Sequence, residues 1–125
     1  MRQPRGISRR HKGVMLQQAS IFSTTVTRDE TTVQLSLEGE LDFATAPLLQ
    51  RAVREVIGEH VHELVVDLAG LSFIDGAGLR GLADTQHAVM ARSGQFRLQS
   101  VNRFTLRIIR LARLVELESS IVSAP

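Results

Sequence analysis

The chain has 125 residues, 43% hydrophobic and 22% charged, the size and balance of one globular domain with its own core. It contains no cysteine, which excludes disulfides, thiolate chemistry and cysteine-based zinc or iron–sulfur sites, and no apolar run approaches the ~20 residues that cross a bilayer. The net charge of +2 is unevenly placed: Arg2, Arg5, Arg9, Arg10 and Lys12 fall in the first 13 residues with no acid, leaving 10 basic against 13 acidic residues, about −3, in the remainder.

The basic character therefore belongs to the N-terminus and gives little footing for nucleic acid, and five Phe without Trp or Tyr offer little for stacking bases. Residues 1–18 hold Pro4, Gly6 and Gly13 and no sustained apolar period, so a disordered basic tail is expected there and a folded domain over 19–125. Met15 is an alternative start to Met1. An arginine-rich beginning has the composition of an organellar transit peptide but lacks its apolar face. It also lacks the apolar core of a secretory signal, so a cytoplasmic protein is expected.

Ile21, Phe22, Thr24, Thr25 and Val26 read as a strand, Asp29-Glu30 as a turn, and Val33, Leu35 and Leu37 as a second strand of period two. Thr45 is the expected N-cap of a first helix with Pro47 in its first turn; Leu48, Leu49, Ala52, Val53, Val56 and Ile57 form its inward stripe and Gly58 its stop. Leu64 to Leu68 reads as a central strand covered on both faces. A second helix is expected from Ala77 to about Ser93, with Leu79, Leu82, Ala83 and Met90 inward and Gly94 as its stop. Phe96, Leu98 and Val101 alternate as a strand. Asn102 then caps a third helix with Phe104, Ile108, Leu111, Ala112 and Val115 inward, and Ile121-Val122 is a last short apolar hint. The pattern predicts an α/β domain with a mixed central sheet of about four strands and helices packed on it.

The densest signal is Val65 to Leu79, where an apolar run of strand type meets a short turn ending in Asp75-Gly76-Ala77-Gly78 and a helix begins at once. Such a layout aims backbone N–H groups and one carboxylate at one surface point. Glu38-Gly39-Glu40-Leu41-Asp42, Asp67-Leu68 with Phe73-Ile74-Asp75-Gly76-Ala77-Gly78-Leu79, and Arg113-Leu114, in this order over roughly Ser20 to Glu118, resemble the STAS domain. That family contains bacterial anti-sigma factor antagonists, stressosome subunits and the cytoplasmic tails of sulfate-type transporters. The resemblance implies an antagonist that binds an anti-sigma factor, a kinase-like protein, and so frees a sigma factor. The alternative it leaves open is a scaffold subunit of a stressosome-like or a lipid or anion transport complex.

In the family's antagonists the residue after the signature Asp is typically a Ser that the partner phosphorylates. Here it is Gly76, followed by Ala77, and neither has a hydroxyl, so no phosphorylation is expected at this site. By resemblance the partner surface comprises Asp42, Phe43, Thr45, Asp75, Gly76, Ala77, Gly78 and Leu79. Read on its own, Asp75 is an N-cap, Asp42 belongs to a local turn, Phe43 is either an interface anchor or a packed staple, and Gly76 and Gly78 permit a tight turn or leave the helix N-terminus open to an anion. No phosphate-loop pattern accompanies the glycines.

Arg103, Arg107, Arg110 and Arg113 line one face of the third helix, either as a solvated face or as a contact for an acidic partner. Glu59-His60-Val61-His62-Glu63 has the residue types of a metal site but the place of a polar connector. A receiver-type phosphoaspartate site needs a lysine, and the only one is Lys12 in the tail. No catalytic residue, cofactor or metal is expected.

Overall fold

The structure, a computed structural model, describes residues 14–122 apart from positions 20 and 59, and residues 14–19 as backbone only. The strands are β1 (Val14–Ala19), β2 (Phe22–Asp29), β3 (Thr32–Leu41), β4 (Glu63–Ile74), β5 (Gln95–Gln99) and β6 (Ile121–Val122). The helices are α1 (Ala46–Val56), α2 (Gly76–Met90), α3 (Arg103–Leu111) and α4 (Val115–Ser119). All six strands join one sheet in chain order, β1 to β3 antiparallel and β3 to β6 parallel. The four expected strands are its middle, β2 to β5, and one more is added at each edge.

The extra strand β1 lies in the segment expected as disordered. It pairs with β2 from Val14↔Val26 to Ala19↔Phe22, with a bulge between Met15 and Gln17. Main-chain pairing of this kind needs a tight connection to its neighbour and no side-chain period, so periodicity was blind to it. Residues 1–13 of the expected tail lie outside the described residues.

Burial alternates along the inner strands. Phe22 and Val26 of β2, Val33, Leu35 and Leu37 of β3, Leu64, Val66 and Leu68 of β4, and Phe96 and Leu98 of β5 are buried on one face. Their alternates, among them Thr25, Gln34, Val65, Asp67 and Arg97, are half-buried. β4 is therefore covered on one side rather than on both. Successive parallel strands laid side by side, each joined by a crossover of the same hand, carry their helices to one face. That face receives Leu49, Ala52, Val53 and Val56 from α1, Leu79, Leu82 and Val89 from α2, Ile109 from α3 and Leu117 from α4.

Three helix readings change. α1 ends with Ile57 extended, its N–H donating to the Val53 carbonyl, one residue before Gly58. α2 stops at Met90, because Ser93 takes φ 64° and the Gly94 N–H returns to the Val89 carbonyl at 3.0 Å. Val89 faces the core there and Met90 is exposed. In α3 the inward residues are Thr105 and Ile109, while Phe104, Leu111, Ala112 and Val115 are exposed and Ile108 is half-buried. The helix carries a broad apolar stripe, but only its shoulder meets the core. Asn102 caps α3 as expected, its Oδ1 accepting from the Thr105 N–H at 2.8 Å.

Candidate functional site

Because β3, β4 and β5 are parallel, the segments that follow them emerge at one end of the sheet. The β3–α1 connection carries Asp42 to Thr45, the β4–α2 junction carries Asp75 to Gly78, and β5 delivers the start of α3. β2 runs the other way and so begins at this end, with the Ile21 carbonyl accepting from the Glu40 N–H at 2.7 Å. Gly39 makes that contact possible. Its φ is +95°, and a Cβ there would lie 2.0 Å from the Ile21 oxygen.

Asp42 and Thr45 tie the first connection into a knot. Asp42 Oδ1 accepts from the N–H groups of Ala44 at 3.0 Å and Thr45 at 3.1 Å, the Asx-turn that the sequence suggests. The Thr45 hydroxyl donates to the Glu40 carbonyl at 2.8 Å and accepts from the Asp42 N–H at 2.9 Å. Thr45 holds the loop this way and makes no side-chain cap on α1, contrary to expectation; its own backbone is already helical. The N–H groups that a Thr45 cap would take are missing or engaged: Pro47 has none, and the Leu48 N–H donates to the Thr45 carbonyl at 2.8 Å. Phe43, between them, is 82% exposed and so is not a staple packed under the helix.

Asp75 does cap α2: its backbone is extended and its Oδ1 accepts from the Gly78 N–H at 2.8 Å. Its own N–H donates to the Leu41 carbonyl at 3.2 Å, which joins the two connections directly. Gly78 presses against that same carbonyl, since a Cβ on it would stand 2.3 Å from the Leu41 oxygen. A Cβ on Gly76 would meet nothing within 4 Å. The two glycines thus differ in kind: Gly78 is demanded by packing and Gly76 is not.

The structure brings all eight expected residues to one end of the molecule but divides them. Asp42, Phe43, Asp75, Gly76 and Ala77 reach the surface, whereas Thr45, Gly78 and Leu79 are buried and support it. Buried side chains offer a partner nothing to touch, so the candidate surface is narrower than the motif. Ile21, Phe73 and Phe104 are also exposed at the same end. Phe73 was legible as part of the motif. Phe104 was hidden by the wrong phase for α3, and Ile21 by lying in a turn.

The other two candidates place differently. Glu63 is the first residue of β4 rather than part of the connector, and it pairs with Arg97 on β5 and accepts from the Thr32 hydroxyl; Glu59 lies outside the described residues. Among the described residues no trio of His, Asp or Glu could hold a metal ion. Arg103, Arg107 and Arg110 are exposed on α3, away from its buried shoulder; Arg113 is exposed as well but lies past the end of the helix in the turn to α4, with φ 58°, and so does not line its face.

The chain is 32% identical over 92 residues, 72% of its length and 75% of the relative's, to the anti-sigma-F factor antagonist RsfB of Mycobacterium tuberculosis. It superimposes on an anti-sigma factor antagonist from Mycobacterium paratuberculosis with a TM-score of 0.70 at 28% identity, covering 88% of this chain and 91% of that one. The fold is also that of unphosphorylated SpoIIAA of Bacillus, TM-score 0.66 at 17% identity, covering 82% and 88%. The STAS domain model matches residues 23–124, from the first turn of β2 past β6, and the chain belongs to the STAS domain family.

Proposed function

We propose that this protein is an anti-sigma factor antagonist that binds its anti-sigma factor through the rim formed by Asp42, Phe43, Asp75, Gly76 and Ala77, and so frees a sigma factor. The observation that carries this is the open N-terminus of α2. Gly76 sits there exposed, beside a carboxylate already engaged as a cap and an aromatic ring 82% exposed. An exposed aromatic beside a rigid polar turn is the kind of feature that anchors a protein interface. The similarity to two mycobacterial antagonists supports the same reading.

Binding of this kind asks for a preformed surface and no bond chemistry, so the protein acts as a cytoplasmic regulator rather than an enzyme. The partner is a kinase-like protein, as the family resemblance implies. SpoIIAA has been solved in unphosphorylated and phosphorylated forms. In this chain Gly76 offers no hydroxyl where the family's antagonists carry their Ser, and Thr85 on the same helix is buried with its hydroxyl donated to the Gly81 carbonyl. Ser72 near the end of β4 is exposed, its hydroxyl donating to the Gly39 carbonyl at 3.2 Å, and phosphate found there would restore a switch; without it the rim stays in its unphosphorylated, binding-competent form. Capture of a kinase-like anti-sigma factor by the tagged protein, lost in a Gly76→Glu variant, is the expected result. Equal capture by both would show that the rim is not the contact surface, and capture of transporter or stress-complex subunits instead would replace the antagonist by a scaffold subunit.

A further inference from the structure

We propose that α3 is the second half of the docking surface, taking an acidic, apolar-edged segment of the anti-sigma factor and thereby selecting which anti-sigma factor binds. This rests on the reading just given. α3 exposes Phe104 and Leu111, the latter at 73%, with Ile108 between them half-buried against the core, and Val115 is exposed across the turn at the start of α4. Isolated exposed apolar residues mean nothing, but three exposed ones, Phe104, Leu111 and Val115, close together in the chain with Ile108 partly open between the first two, make a surface that water leaves readily.

Beside the stripe stand Arg103, Arg107, Arg110 and Arg113. Among the described residues Arg110 alone of these has an ion partner, Glu118 at 2.8 Å. The segment from Val101 to Leu114 contains no acid, while the remainder after the first 13 residues holds 13 acids against 6 bases, the ten counted above less these four. Arg103, Arg107 and Arg110, at spacings of four and three, repel along α3, and Arg113 stands just past it in the turn to α4 with φ 58°, so the free protein holds its cations in an arrangement that opposing carboxylates would relieve.

The surface is continuous with the rim. β5 lies next to β4 and parallel to it, so α3 begins at the same sheet end as α2, one strand over, with Phe104 in its first turn. At the far end of the stripe a cavity of about 250 Å³ opens between α2 and the α3–α4 turn, lined by Ala83, His87, Arg113, Leu114 and Val115 among others. A hollow of that size accepts a side chain from a facing protein. It also argues against a bilayer, which would leave the hollow empty. A second copy fits no better, because a two-fold contact would set arginine ridge near arginine ridge.

The test uses the full-length chain and the purified anti-sigma factor, with affinities measured at low and high salt for wild type, Arg103→Glu/Arg107→Glu, Leu111→Ser and Gly76→Glu. The charge reversal is expected to weaken binding about tenfold or more and to remove most of its salt dependence. Leu111→Ser is expected to weaken it with an unchanged thermal melt, since the side chain is outside the core. If both α3 variants bind as wild type while Gly76→Glu does not, the inference fails and the rim stands. A wild type that binds no anti-sigma factor overturns both. Co-sedimentation of the wild type with phosphatidylglycerol vesicles, or self-association that Leu111→Ser abolishes, would give this face to another occupant and overturn the inference.

Discussion

Replacing Gly76 and Gly78 separately by alanine adds the same methyl group two residues apart and should move stability in opposite directions. At Gly76 the new Cβ has no heavy atom within 4 Å, so the change only restricts the unfolded chain and improves helix propensity. At the first helical position this gains no more than about 0.5 kcal/mol, below the 0.5–1 kcal/mol typical of a helix interior. At Gly78 the Cβ would lie 2.3 Å from the Leu41 oxygen, 2.8 Å from Ile74 Cγ1 and 3.0 Å from the Leu41 carbonyl carbon. Backbone cannot swing aside as a side-chain tip can, so α2 must back away from β3. Overpacking of this kind costs about 1–3 kcal/mol, and the strain falls on the Asp75 N–H to Leu41 carbonyl bond that joins the two halves of the rim. Urea denaturation with the m-value checked for constancy separates the two variants, with the midpoint up slightly for Gly76→Ala and clearly down for Gly78→Ala. Midpoints that shift together, in either direction, would refute the distinction between the two glycines.

Two further outcomes follow from the same geometry. Asp42→Ala removes the acceptor of two loop N–H groups and should cost about 1–2 kcal/mol of stability by chemical denaturation while also weakening partner capture, because Phe43 loses its fixed backbone. On α3, Ile109→Ala should cost about 2–5 kcal/mol and Phe104→Ser less than about 0.5 kcal/mol in the same assay, an order that the apolar pattern alone would have reversed.

How far the sequence could be read depends on which question its pattern answers. The α1 stripe was legible because its apolar face and its covered face coincide: Leu49, Ala52, Val53 and Val56 are both. On α3 they do not coincide. Periodicity marks the face that is apolar, and Phe104, Ile108 and Leu111 are the apolar face; burial depends on what lies opposite, and there Thr105 and Ile109 meet the core. The same limit explains β4, where Val65 in an unbroken apolar run suggested a second covering layer that the one-sided helix arrangement does not supply. At the rim, residue types announced caps at Asp75 and Asn102 correctly. They could not show that Thr45 turns back into its loop, its hydroxyl accepting from the Asp42 N–H, because that choice is settled by loop geometry. The motif residues meet at one end of the sheet, and only solvent exposure separates those that face outward from those that hold them there.

The knot at Asp42 and Thr45 bears on how fast and how cheaply a partner is met. The Thr45 hydroxyl bridges Glu40 and Asp42, and the Asp42 carboxylate clamps the next two N–H groups, so the backbone on either side of Phe43 is set before any encounter. A complex gripping that ring has little main-chain entropy left to lose, only the rotation of the ring itself. Association then proceeds as the meeting of two finished shapes, without a folding step to slow it, and differences among partners are expressed in how long they stay.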